Sequence, residues 1–309
     1  MKPLLLILNP LSEDHLARIA EHFAVRYAPD DASRAACVAA DGRDIRAVLT
    51  IGAIGLTASE MDAMPRLELV CALGAGYENI DVAHARARGI VLANGAGTND
   101  SAVADHAMAL LLGAVRAVPE LDRATRAGIW RTELPLRPGV SGKRLGILGL
   151  GTIGQRIATR AASFDLEIGY HNRRERAVPY RYFDSVMALA DWSDFLVIAT
   201  PGGPETRHLV GESVLRALGP NGFLVNIARG SVVDSEALAQ ALKDGSVGGA
   251  GLDVYESEPA PPTVLLDCPN LVLTPHVAGW SPEAIDATVR LFLDNARRHF
   301  AGEAVLTPI

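Results

Sequence analysis

The chain has 309 residues, 49% apolar and 21% charged, with a formal net charge of −7 and a pI of about 5.6. Length and composition suit two globular domains and exclude extended disorder. No run of basic residues stands out, so neither a nucleic acid nor a polybasic membrane contact is expected as a partner.

The N-terminal PLLLILNP holds five contiguous Leu and Ile residues before Asn9 and Pro10. That is too short for a signal-peptide core or a membrane span, and it predicts a first buried strand over 3–8. Further strands are expected at 46–50, 68–72 and 89–92, with helices between them at 12–22 and 82–88. One long helix is predicted over 101–128, SAVADHAMALLLGAVRAVPELDRATRAG, with Ser101 as its N-cap. A loop with Trp130 and two prolines follows. A second series of strands is expected at 145–148, 166–171, 194–199, 222–227, 249–254 and 271–274, enough for a whole doubly wound nucleotide domain. The final stretch, 281–309, reads as an amphipathic helix and a tail with no strand to finish a sheet, so it should return to the N-terminal domain. The predicted fold is α/β, with two doubly wound parallel-sheet domains and a cleft between them. A flavodoxin-like substrate domain takes residues 1–99 and 281–309, and a Rossmann cofactor domain takes 100–280. Cys37, Cys71 and Cys268 lack metal-ligand spacing; they read as free thiols in a reducing cytoplasm, and no metal is expected.

Gly149, Gly151 and Gly154 form G-x-G-x-x-G between a strand and a helix pattern. Such glycines allow a tight turn and close backbone approach, so that a pyrophosphate sits on the helix N-terminus. An acidic residue about 20 positions beyond the first glycine ordinarily holds the adenine ribose. This chain has Asn172, Arg173 and Arg174 there; Glu167 stands at the wrong end of its strand. Guanidinium groups grip a 2′-phosphate that a carboxylate would repel, so the expected cofactor is NADP(H).

Three later stretches supply chemistry. LVNIARGSVVD puts Arg229 past a strand, GGAGLDVYESEP brings Asp253, Glu256 and Glu258, and LVLTPHVAGW brings His276. An arginine for a carboxylate, a histidine as proton donor and an acid to hold it protonated suit reduction of a 2-oxo acid. Spacing alone does not choose between Glu256 and Glu258. His106, His171 and His208 read as helix-packing, strand-end and cofactor-loop residues. Trp280 suits a substrate-pocket wall and a domain crossing equally.

With LVCALGAGYENIDV, VADHAMALLL, GKRLGILGLGTIGQRIA and TPGGPETRHLV added to these, the chain resembles the D-isomer-specific 2-hydroxyacid dehydrogenases over essentially its whole length. The resemblance implies Arg229, Glu258 and His276 as the catalytic set, with Arg229 and His276 also binding substrate. It also implies amides of Ala75 and Gly76 for the substrate carboxylate, and Asp253 beside the nicotinamide. Thr152, Ile153, Thr200, Pro201 and Ile227 would line the cofactor. Ala199 and Asp105 depart from common family residues, and Ala199, with HNRR, points to the NADPH-using reductases of glyoxylate, hydroxypyruvate and hydroxyphenylpyruvate. The long 101–128 stretch and the arm around Trp130 suggest a homodimer. Two readings compete. A 3-phosphoglycerate dehydrogenase would need cations that LTIGAIGLT (49–57) lacks, and with the chain ending at residue 309 no regulatory domain is expected. A nucleotide-sensing corepressor would need a tail or basic patch that is not evident.

Overall fold

The computed structural model describes residues 2–309 and divides them into two units. One holds the residues up to Asn99 together with Trp280–Ile309; the other is Asp100–Gly279. Trp280 thus goes with the first unit, one residue away from the expected crossing.

The first unit is built on strands β1 (Leu4–Ile7), β2 (Ala24–Tyr27), β3 (Ile45–Ile51), β4 (Leu69–Leu73) and β5 (Val91–Asn94). All pairings are parallel, in the order β2-β1-β3-β4-β5, which is flavodoxin-like. β2 was not among the predicted strands. It is an edge strand with one residue partly buried and three exposed, so no apolar run marks it. The C-terminal helix Pro282–Phe300 lays Val289, Phe292 and Ala296 on Leu5, Ile7, Leu69 and Cys71. Burying a side chain such as Phe292 contributes about 2–3 kcal/mol. The tail then runs along β5. The amide of Asn94 donates to the Thr307 carbonyl at 3.1 Å, and that of Ile309 donates to the Leu92 carbonyl at 3.1 Å.

The second unit carries β6 (Arg144–Leu148), β7 (Glu167–His171), β8 (Arg181–Phe183), β9 (Phe195–Ile198), β10 (Phe223–Asn226), β11 (Gly249–Leu252) and β12 (Leu271–Leu273). They too are all parallel, ordered β12-β11-β10-β9-β6-β7-β8, a Rossmann order with one added strand. β8 is a seventh strand where six were expected; at three residues on the sheet edge it leaves no pattern to read. The central strands are apolar apart from residues at their ends because both faces are covered. Ile147, Tyr170, Val197 and Val225 face one core, and Leu148, Leu196, Ile198 and Leu224 face the other.

The single helix expected over 101–128 is two helices, Asp100–Val115 and Val118–Arg126, bent by 58°. Ala117 between them is left-handed, at φ 50°. Pro119 explains the break: its ring has no amide to donate and would strike the carbonyl of Val115, yet it is well accommodated in a new helix's first turn. Ser101 is not the N-cap, since the helix already includes Asp100; its hydroxyl instead accepts from Arg156 at 3.1 Å. Among the described residues no single helix is long and apolar enough to cross a membrane.

Candidate active site

The seven parallel strands of the second unit end on one sheet edge, and the residues just past six of them hold the candidate chemistry. After β6 the chain turns at Gly149 with φ 99°, where a Cβ would lie 2.7 Å from the Thr200 amide nitrogen. A Cβ on Gly154 would come within 2.2 Å of the Gly149 carbonyl oxygen. Gly151 differs: nothing stands within 4 Å of its missing Cβ. Internal packing does not require glycine there, whereas a phosphate lying on the turn does. Gly151 also begins the helix Thr152–Ala162 without a side-chain cap, leaving the first-turn amides of Thr152, Ile153 and Gly154 for a ligand. These residues fit a dinucleotide pyrophosphate.

The loop after β7 is clamped to that turn at both ends. Asn172 Oδ1 accepts from the Leu150 amide at 2.7 Å, and the Arg176 guanidinium donates to the Leu150 carbonyl at 2.7 Å. The hydroxyl of buried Tyr170 accepts from the Arg176 amide at 2.9 Å and donates to its carbonyl at 3.1 Å. Arg173 and Arg174 project between these anchors. Arg173 is 90% exposed and pairs with Glu205 at 3.2 Å. Asn172, expected at a ribose phosphate, commits its carbonyl oxygen to the glycine turn and has its amide nitrogen left to offer. Arg176 was not anticipated at all. Glu167 is exposed at the start of β7, away from this edge.

Thr200 and Pro201 follow β9, and largely buried Ile227 follows β10. Arg229 lies two residues further on. Its stem packs over Gly202, where a Cβ would be 2.7 Å from Arg229 Cγ, and its Nη1 donates to the Ala228 carbonyl at 2.6 Å.

His276 follows β12 in a left-handed conformation, φ 55°. Its Nδ1 is 2.7 Å from Glu258 Oε2, while Glu258 Oε1 accepts from the Tyr255 amide at 2.6 Å. A carboxylate on Nδ1 sets that nitrogen as a donor and leaves Nε2 to face a reactant. The hydrogen bond to Glu258 raises the His276 pKa above its ordinary value; burial and the charge of Arg229 oppose this. Burial would raise the Glu258 carboxyl, but bonds from His276 and the Tyr255 amide hold it below the usual range. Glu256 has other partners: His208 Nε2 at 2.6 Å and the Ser235 amide at 3.1 Å. The two glutamates that spacing left open are therefore divided by geometry, each with its own histidine.

Asp253, expected beside a nicotinamide, is 1% exposed, and its carboxylate is engaged by its own chain. It accepts from the Thr274 hydroxyl at 2.6 Å and the amides of Val277 and Ala278 at 2.9 Å each. Among the described residues no group of three His, Cys, Asp or Glu side chains could hold a metal ion.

A family model, D-isomer specific 2-hydroxyacid dehydrogenase, NAD binding domain, matches residues 108–278. The chain belongs to this family. That stretch contains the glycine turn, Arg229, Glu258 and His276. Among relatives of this dehydrogenase, hydroxyphenylpyruvate reductase of Plectranthus scutellarioides is 40% identical over 274 residues, 88% of each chain. A glyoxylate/hydroxypyruvate reductase A of Arabidopsis thaliana is 40% identical over 267 residues, 86% of this chain and 85% of that one. NADPH-dependent glyoxylate/hydroxypyruvate reductase of Sinorhizobium meliloti, solved with NADP and malonate, superimposes with a TM-score of 0.91 at 38% identity, covering 100% of this chain and 97% of that one. In this dehydrogenase Ala75 and Gly76 lie outside the matched stretch, in the first unit. They follow β4, and the Ala75 carbonyl accepts from the Asn94 side chain at 2.9 Å.

Proposed function

We propose that the protein is an NADPH-dependent reductase of small 2-oxo acids that converts glyoxylate to glycolate, and hydroxypyruvate and phenylpyruvates to D-2-hydroxy acids. The observation that carries this is the Glu258–His276 pair, set on the same sheet edge as Arg229 and a glycine turn flanked by two arginines. Residues Gly149–Gly154 would hold the pyrophosphate, and Arg173 and Arg174 the 2′-phosphate. Thr200, Pro201 and Ile227 would line the rest, and Asp253 would support the nicotinamide end through the loop it holds. Bound NADPH supplies a hydride to the carbonyl carbon.

The chain's own groups do the remainder. Arg229 pairs with the substrate carboxylate and polarises the carbonyl, and the amides of Ala75 and Gly76 are assigned to that carboxylate as well. His276 delivers the Nε2 proton to the carbonyl oxygen as it gains charge. Glu258 keeps the ring oriented and stabilises its protonated form. Incubation with NADPH and each of these 2-oxo acids should consume NADPH and yield glycolate from glyoxylate and the D-hydroxy acid from hydroxypyruvate and phenylpyruvates; formation of the L-isomer from either of the latter, or no consumption with any of them, would defeat the proposal.

The pH dependence has a definite sign. Reduction needs protonated His276, so kcat/KM should fall as pH rises through its raised pKa. Glu258→Gln removes the largest cause of the elevation, and the fall should move to lower pH. An unchanged profile in that variant would remove Glu258 from this role.

The homodimer belongs to the same proposal. Val118, Ile129, Trp130 and Leu136 are exposed apolar side chains on one stretch of the second unit, Leu136 completely so. Burial against a second copy accounts for them. Sedimentation at micromolar protein should give twice the 32.7 kDa chain mass; a monomer would contradict this. A reducing cytoplasm suits the three free cysteines.

A further inference from the structure

Asp253 and Thr274 hold the turn that carries His276, and His106 stands behind them with no role so far. The His276 amide donates to the carbonyls of Asp253 and Thr274, at 2.8 and 3.0 Å. The next two amides, Val277 and Ala278, donate to the two oxygens of the Asp253 carboxylate. These bonds over-determine the left-handed backbone of His276, which a side-chain-bearing residue adopts only when its surroundings enforce it.

Asp253 is itself held. The Thr274 hydroxyl donates to Asp253 Oδ1, so its lone pair is the acceptor for His106 Nε2–H at 2.9 Å. His106 Nε2 is also 3.5 Å from Asp253 Oδ1. His106 stands on the helix Asp100–Val115, whose Leu110 packs within 3.0 Å of the Cβ position of Gly251 on β11. The helix is thus seated on the strand that delivers Asp253. Tyr255 closes the other side, its hydroxyl donating to the Thr274 carbonyl at 2.6 Å.

We propose that His106 and Thr274 are positioning residues for the proton donor: a chain His106–Thr274–Asp253 fixes the 276–278 turn and so aims the His276 ring. This rests on the reading of His276 as the acid, and it assigns a task to a helix histidine and a strand-end threonine that packing alone does not need. The carboxylate of Asp253 would be raised by burial; the bonds from His106, Thr274, Val277 and Ala278 outweigh this and keep it ionised, the form that can accept from all of them. An apolar replacement at 106 or 274 leaves that buried carboxylate short of a donor and frees the turn.

The test uses two pairs of variants in the whole protein. Thr274→Val and His106→Leu remove the bridging groups; Thr274→Ser and His106→Gln keep a hydroxyl and a side-chain N–H there. Amide hydrogen exchange at Val277 and Ala278, measured without cofactor, should quicken about tenfold or more in the first pair, as expected for one lost hydrogen bond. It should stay near the native rate in the second pair. In steady state the first pair should lose about 10- to 100-fold in kcat, because a displaced acid fails in the transition state. KM and the NADPH dissociation constant should change by only about two- to fivefold, less than kcat, since the phosphate-binding turn is untouched. The conservative pair should recover most of the loss. Native exchange and kcat in Thr274→Val would overturn the proposal. So would a parallel loss of kcat, cofactor binding and thermal stability that Thr274→Ser fails to restore. If the unmodified protein reduces no 2-oxo acid, the reductase reading fails, and the exchange rates alone still decide whether His106 and Thr274 hold the turn.

Discussion

Replacing His276 by Asn should lower kcat for 2-oxo acid reduction by about 10²- to 10⁴-fold, the usual contribution of a positioned general acid. Asparagine can still offer an N–H to Glu258, so the 276–278 turn and its bonds to Asp253 should survive. What it lacks is a proton to release at the position of Nε2. The NADPH dissociation constant, read by fluorescence titration, should therefore stay within about twofold of the unmodified protein, since the loss is confined to the transition state. Retention of more than about a tenth of native kcat would show that the proton comes from elsewhere.

The second large effect concerns Arg173 and Arg174. Charge-assisted hydrogen bonds contribute about 1.5–3 kcal/mol each, and exposed arginines fall at the lower end because solvent screens them. About 1.4 kcal/mol is a factor of ten in affinity. Arg173 must also leave Glu205 to take a phosphate, but a pair this exposed contributes only about 0–1 kcal/mol. Each single Ala variant should weaken NADPH about tenfold. The double variant should lose somewhat less than the product, about 30- to 100-fold, because neighbours sharing one phosphate are not independent. NADH, without the extra phosphate, should be nearly unaffected. The loop that presents the arginines should stay in place, since Asn172 and Arg176 hold its ends to Leu150. Equal losses for both cofactors in titrations at constant ionic strength would mean that the arginines serve the loop rather than the phosphate.

The elements most legible in the sequence were the central strands, buried on both faces. β1 and β9 are uninterrupted apolar runs, and β6 and β10 carry a polar residue only at one end, because cores lie above and below them. β2 and β8 escaped notice for the converse reason: an edge strand has one neighbour and a wet flank, and AVRY and RYF carry no run to detect. The bend at Ala117 was readable from Pro119, but only by treating that proline as the start of a helix rather than a guest inside one. At the site, strand ends gave away the glycine turn, Arg229 and His276, since the carboxyl edge of a parallel sheet is where such residues collect. Which glutamate met the histidine depended on how one short turn folds, and spacing does not encode that. Nor did any local pattern link His106 to Thr274, 168 positions apart in the chain; only the packed helix brings them together. The positions of Asp253 and Asn172 were legible, while their hydrogen-bond duties to the chain itself were not.

The most direct measurement is kcat/KM for NADPH and for NADH with hydroxypyruvate as the common acceptor, at two ionic strengths. A preference for NADPH of at least about tenfold, shrinking as salt rises, is the expected result, because only NADPH carries the phosphate proposed to meet Arg173 and Arg174. Turnover with NADH equal to or above that with NADPH, or a preference indifferent to salt, would contradict it.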